Sequence, residues 1–173
     1  MTVMFVGLLA VAAAAVAEAP SCNWDLALFG VLLAFSIFSD LTAVSTESKV
    51  KVSGSFLALV IAMVFLGGTP AALIGVVTIL VGWFRWRDEP HYLVNNVLTY
   101  ALFPLVGGVL FRLVLEETGI TQDDSSFYLL VFALFQVSLA LNFIFTAGYR
   151  AYVERVSFSS QLAVLPPVLP SEF

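Results

Sequence analysis

Between Ser53 and Phe84 the chain runs for 32 residues without one charged side chain. A bilayer core about 30 Å thick takes about 20 helical residues, so the run is too long for one ordinary span. Gly67-Gly68-Thr69-Pro70 interrupts it near the middle. Glycine supplies turn geometry, and proline suits the first turn of a new helix. The run therefore predicts a tight helical hairpin, with arms Ser53 to Leu66 and Pro70 to Phe84. One long tilted helix is the alternative, and the Gly-Gly-Thr-Pro break argues against it.

Composition extends the point to the whole chain. Apolar residues make up 61% of the 173 and charged residues 11%, against roughly 25% charged in a soluble domain. Mean hydropathy is +1.02. Seven basic and twelve acidic side chains cannot coat a water-soluble globule of this size. An all-α integral membrane protein is what remains, with the lipid bilayer as its solvent. Six spans would occupy about 120 residues, leaving no room for a soluble catalytic domain. The net charge of −5 lies in short loops and offers no basic surface to nucleic acid. Cys22 is the one cysteine and cannot form an internal disulfide.

The other apolar stretches complete a bundle of about six transmembrane helices. The first runs from Thr2 to Ala17 and ends at Glu18-Ala19-Pro20. Two readings compete there. Ala17-x-Ala19 resembles a signal-peptidase site, so residues 1–19 would be removed; yet no Lys or Arg precedes the stretch. An uncleaved first helix is preferred. Helix two spans Trp24 to Phe38, with Trp24 as an interfacial anchor, and Ser39 to Val52 is a wet loop carrying Asp40, Glu47, Lys49 and Lys51. Arg85 to Tyr92 is a second polar loop. Helix five runs from Leu93 to about Leu115, an acidic loop from Glu116 to Ser126, and helix six from Phe127 to about Tyr149. Residues 1–155 form the six-helix domain. The tail 156–173 is apolar but holds Pro166, Pro167 and Pro170, and reads as the approach to a further helix.

Basic residues set orientation. Lys49, Lys51, Arg85, Arg87, Arg150 and Arg155 fall on one predicted side, and only Arg112 on the other. That bias places the C-terminus in the cytoplasm, and the N-terminus with it if helix one is retained.

Catalytic constellations are missing: no HExxH, no phosphate-binding loop, no CxxC, and one histidine, His91. No enzyme activity, metal or cofactor is expected. His91 reads as a solvated loop residue, Cys22 as a bystander, and the acidic set Glu116, Glu117, Asp123 and Asp124 as a solvated exterior loop. Polar groups inside spans weigh more, because hydrocarbon penalises them. Asn95 and Asn96 open helix five, with Thr99 and Tyr100 one turn on; Gln136, Ser138 and Asn142 lie within helix six. Pro104 frees the carbonyl of Tyr100. One reading is a ligand pocket between helices five and six built from Asn95, Asn96, Thr99, Gln136, Ser138 and Asn142. The other, favoured, is interhelical glue worth about 0.6 kcal/mol per bond. Small residues on shared faces (Gly54 with Ala58, Ala71 with Gly75, Gly75 with Gly82, and Gly107-Gly108) predict close approach of helices three, four and five.

The run Val52-Ser-Gly-Ser-Phe-Leu-Ala-Leu-Val-Ile-Ala-Met-Val-Phe-Leu-Gly-Gly-Thr-Pro-Ala-Ala-Leu-Ile-Gly75, with Leu93-Val-Asn-Asn-Val-Leu-Thr-Tyr-Ala-Leu-Phe-Pro-Leu-Val-Gly-Gly108, resembles the N-terminal MASE-type membrane domains of bacterial signalling proteins. Those domains precede GGDEF, HD-GYP or histidine kinase output domains. A similar Gly-rich hairpin occurs in LytS-like sensors and in the substrate-binding subunits of energy-coupling-factor vitamin transporters. The likeness covers roughly Val44 to Phe111 and rests on motifs that any tight membrane hairpin needs. It implies a multi-pass protein of a bacterial inner membrane, acting as a non-catalytic sensor or input module for a cytoplasmic output domain or partner subunit. A homodimer is a further arrangement open to it. On that reading the chain is a portion of a longer protein. The alternatives are a small-molecule uptake subunit and a structural subunit of a membrane complex.

Overall fold

The computed structural model describes residues 2–45, 51–52, 54–87 and 89–155. The proline-containing tail 156–173 lies outside the described residues, as do Glu47, Lys49, Ser53 and Asp88. Among the described residues the chain is helical: α1 (Thr2–Glu18), α2 (Leu26–Leu41), α3 (Ser55–Phe65), α4 (Gly68–Trp86), α5 (Pro90–Thr118) and α6 (Ser125–Glu154). The expected wet loop after α2 contains a small antiparallel ladder, β1 (Val44–Ser45) with β2 (Lys51–Val52), in which Val44 faces Val52.

Four helices, α1, α4, α5 and α6, are long and apolar enough to cross a membrane. The other two are shorter. At 1.5 Å per residue, the 16 residues of α2 and 11 of α3 rise about 24 and 17 Å.

Several boundaries differ from the sequence reading, each for a local reason. Helix α2 starts at Leu26 because Asp25 is its N-cap, Oδ1 accepting from Ala27 N and Leu28 N at 3.0 Å. Helix α4 starts at Gly68, two residues before Pro70, because Gly67 makes the turn at φ +102°, a backbone region open to glycine. Helix α5 begins on Pro90 and ends at Gly119 in the left-handed conformation, φ +67°. His91, Glu116 and Glu117, expected in loops, therefore lie on a helix.

The turn contacts give the directions. Gly54, before α3, lies against Ser39 near the end of α2, whereas Gly67, after α3, lies against Cys22 before α2 begins. Ser36 of α2 meets Thr78 of α4 at 2.8 Å, so α4 runs parallel to α2 and opposite to α3. Tyr92 of α5 bonds Glu154 of α6 at 2.8 Å, and Phe111 packs edge-on against Phe127 at 5.8 Å, which makes α5 and α6 antiparallel. One end of the bundle thus gathers the ends of α2, α4 and α6 with Arg85, Arg87, Arg150 and Arg155; Arg112 stands towards the other.

Helix α3 is the centre, with Ala58, Leu59, Ala62 and Met63 all buried. Its Phe56 stacks on Phe103 of α5 at 5.3 Å and meets Phe135 of α6 edge-on at 5.4 Å. The tightest crossing is α4 on α5. A Cβ added at Gly68 would come within 2.6 Å of Leu105 O, and one at Gly75 within 2.5 Å of Tyr100 O. That carbonyl is the one Pro104 leaves without its N–H partner, and α5 continues helically through the proline. The expected small-residue stripe needs one correction. Gly82 faces Asp40 of α2, not α5, and Gly54 also faces α2. The outer surface is apolar. Helix α1 presents Phe5, Val6, Leu9 and Val16, and α6 presents Tyr128, Leu129, Phe132 and Ile144.

Candidate functional site

Glu18 is the only charged residue of α1, occupies its last position, and is 8% exposed. Its surroundings follow from a deficit in α4. The first N–H groups of any helix lack internal partners, and Gly67 at the N-cap has no side chain to supply one. The Glu18 carboxylate reaches in from α1 instead. Oε1 accepts from Gly68 N at 3.3 Å and Oε2 from Thr69 N at 2.8 Å. The Thr69 hydroxyl is shared between Glu18 Oε2 and Ala15 O, the latter at 2.9 Å. The Cys22 thiol donates to Oε2 at 2.8 Å. An anion at a helix N-terminus is also favoured by the helix dipole. One side chain therefore caps α4 and pins α1 to it.

Arg112 of α5 stands beside this cap. Its Nη1 lies 3.7 Å from Glu18 Oε1 and 3.4 Å from Ser21 O, and its Nε lies 3.7 Å from Glu116 Oε1. These exceed the roughly 2.7–2.9 Å of a strong charge-assisted bond. A cavity of about 160 Å³ opens next to the guanidinium, walled by Met63, Val64, Phe65, Phe111 and Leu115 with Asn23 at its rim. That volume matches an apolar cavity of about 150 Å³ that admits benzene and falls below the ~300 Å³ of ordinary ligand sites. Burial, with the Glu18 acceptor, pushes the Cys22 thiol up to about 11, so it is a protonated donor at neutral pH. The described residues contain no cluster of three metal-ligating side chains.

The six residues expected to line a pocket between α5 and α6 are dispersed. Asn95 and Thr99 are buried, and Asn96 is half-buried. Ser138 is fully buried and points at Met63 of α3, its Oγ 3.9 Å from the sulfur. Asn142 is half-buried; its Oδ1 is enclosed without a hydrogen-bond partner, and its backbone carbonyl accepts from Thr146 at 2.7 Å. Gln136 is exposed. Two residues of helix turn the direction by about 200°, so Gln136 cannot share the inner face of Ser138. Among the described residues no hydrogen bond joins the α5 set to the α6 set. His91, in the first turn of α5, places Nδ1 3.3 Å from Glu89 Oε2 and its ring 4.3 Å from that of Tyr92. In the acidic loop, Thr121 N and Oγ1 donate to Asp124 Oδ2 at 2.8 and 2.9 Å, which holds the Asp124 carboxyl below its usual range.

Sequence reasoning passed over the Glu18 centre. A carboxylate closing an otherwise uncharged helix was a usable signal, as was a glycine pair with no local cap. No family model matches the chain, and neither the curated proteins nor the solved structures yield a significant match.

Proposed function

We propose that the chain is a non-catalytic membrane input module whose α6 carries a conformational signal to the end of the bundle where the basic residues gather. The observation that carries this reading is the packing of α6. It is 30 residues long, about 45 Å at 1.5 Å per residue. Over its first half it rests on the bundle through one stripe, Phe127, Leu134 and Ser138, while Ala147 is buried on the opposite side further along. A helix with so few buried positions can rotate or slide against its support, in the manner of small interface shifts that switch other proteins. Its far end is tied to α5 by the Tyr92–Glu154 bond.

All six helices belong to the membrane domain in this reading, with Gly67 turning α3 into α4 and α1 retained. The Glu18 cap supports retention, because loss of α1 would strip α4 of its acceptor. The end carrying Arg85, Arg87, Arg150 and Arg155 lies in the cytoplasm of a bacterial cell, by the bias of basic residues. An output domain or partner subunit receives the signal there.

Inserting one to seven alanines after Glu154, ahead of a fused dimer-dependent reporter enzyme, tests transmission. Output should rise and fall with a period of about 3.6 residues, since each insertion turns the exit of α6 by about 100°. Output that is flat across the series refutes the reading.

A further inference from the structure

Gln136 stands on the face of α6 opposite Phe127, Leu134 and Ser138, in company with the exposed Leu129 and Phe132. By helical rise it sits about 5 Å from the midpoint of the Ser125–Glu154 helix. An amide there brings two donors and a carbonyl acceptor into hydrocarbon. The side chain is too short to reach the nearer interface, about 10 Å away. Lipid tails offer no hydrogen bond.

We propose that this face of α6 is the interface with a second copy of the chain, in which Gln136 of each copy hydrogen-bonds Gln136 of the other. The occupant follows from the chemistry of the group. A carboxamide both donates and accepts, so the same residue across a two-fold axis satisfies both needs, as an isologous contact requires. Ala133 and Ala140, one turn to either side and both exposed, allow the two backbones to approach closely. From Ser125 to Tyr149 the helix carries no charged residue, so nothing repels the second copy. This deepens the input-module reading by naming the partner, and it rests on that reading only in placing α6 within a bilayer.

The test uses the full chain with Cys22→Ser in phosphatidylcholine vesicles. Single cysteines at Ala133 or Ala140 should cross-link into dimers on oxidation, and one at Val16, exposed on α1, should not. Energy transfer between copies labelled at their N-termini should show Gln136→Leu associating at least fivefold more weakly, while Gln136→Asn keeps association. Four results would overturn the proposal: monomers at every protein-to-lipid ratio, undiminished association of Gln136→Leu, cross-linking only through Val16, or stoichiometric capture of a different chain at Ala140. None of these needs an output domain, so a flat insertion series from a chain that cross-links at Ala140 refutes transmission alone, whereas monomers in vesicles refute the interface.

Discussion

Removing the Glu18 carboxylate is the sharpest perturbation the structure offers. In Glu18→Ala, Gly68 N and Thr69 N lose the acceptor that caps α4, and no other cap is near because the N-cap is Gly67. Each buried donor left unsatisfied costs about 1–3 kcal/mol. The Thr69 hydroxyl keeps Ala15 O, and the Arg112 pair is long and about one-third exposed on the arginine side, so neither adds much. The expected loss is about 2–6 kcal/mol, measured by helicity during titration of micelles with a denaturing detergent. Glu18→Gln retains one oxygen acceptor but not the charge, and should fall between the parent and alanine. Val16→Ala, on the exposed face of the same helix, is the control. If Glu18→Ala matched that control within about 0.5 kcal/mol, the cap would not be holding α1 to α4.

The glycines that seat α4 on α5 should be intolerant. Gly75→Ala and Gly108→Ala each force a methyl to within 2.5 Å of backbone and should cost at least about 1–3 kcal/mol, whereas Gly148→Ala, with nothing within 4 Å, should be near neutral in the same titration. Cys22 should alkylate slowly: with its pKa raised from 9.0 to about 11, the thiolate at pH 8 is about a hundredfold scarcer than for an ordinary thiol. Because the shift is upward, the rate should keep climbing beyond pH 9; a plateau at pH 9 contradicts the burial argument, and Glu18→Ala should accelerate the reaction.

Much of the candidate site was hidden by its own construction. Glu18 and Thr69 are 51 residues apart, and nothing local to either announces the other. The cap exists because two helices of unrelated sequence end at the same depth. The inner and outer faces of α6 were more accessible. Ser138 and Gln136 differ by two positions, so helical periodicity alone separates them once one is known to be buried. Which one faces inward depends on Met63 and Gly107, residues of two other helices.

By itself the sequence determined the solvent, the helical class, the break at Gly67-Gly68 and the one-sided distribution of basic residues. These depend on composition and on periodicity along the chain, which act wherever the chain folds in hydrocarbon. Tertiary structure alone decided that α4 starts on Gly68 with its cap on α1, that Gly82 faces α2 while Gly75 faces the carbonyl Pro104 releases, and that Gln136 points outward. Inside a bilayer, burial of apolar surface does not select helix partners. Close backbone fit and a few polar contacts do, and both are properties of pairs of helices rather than of any one segment.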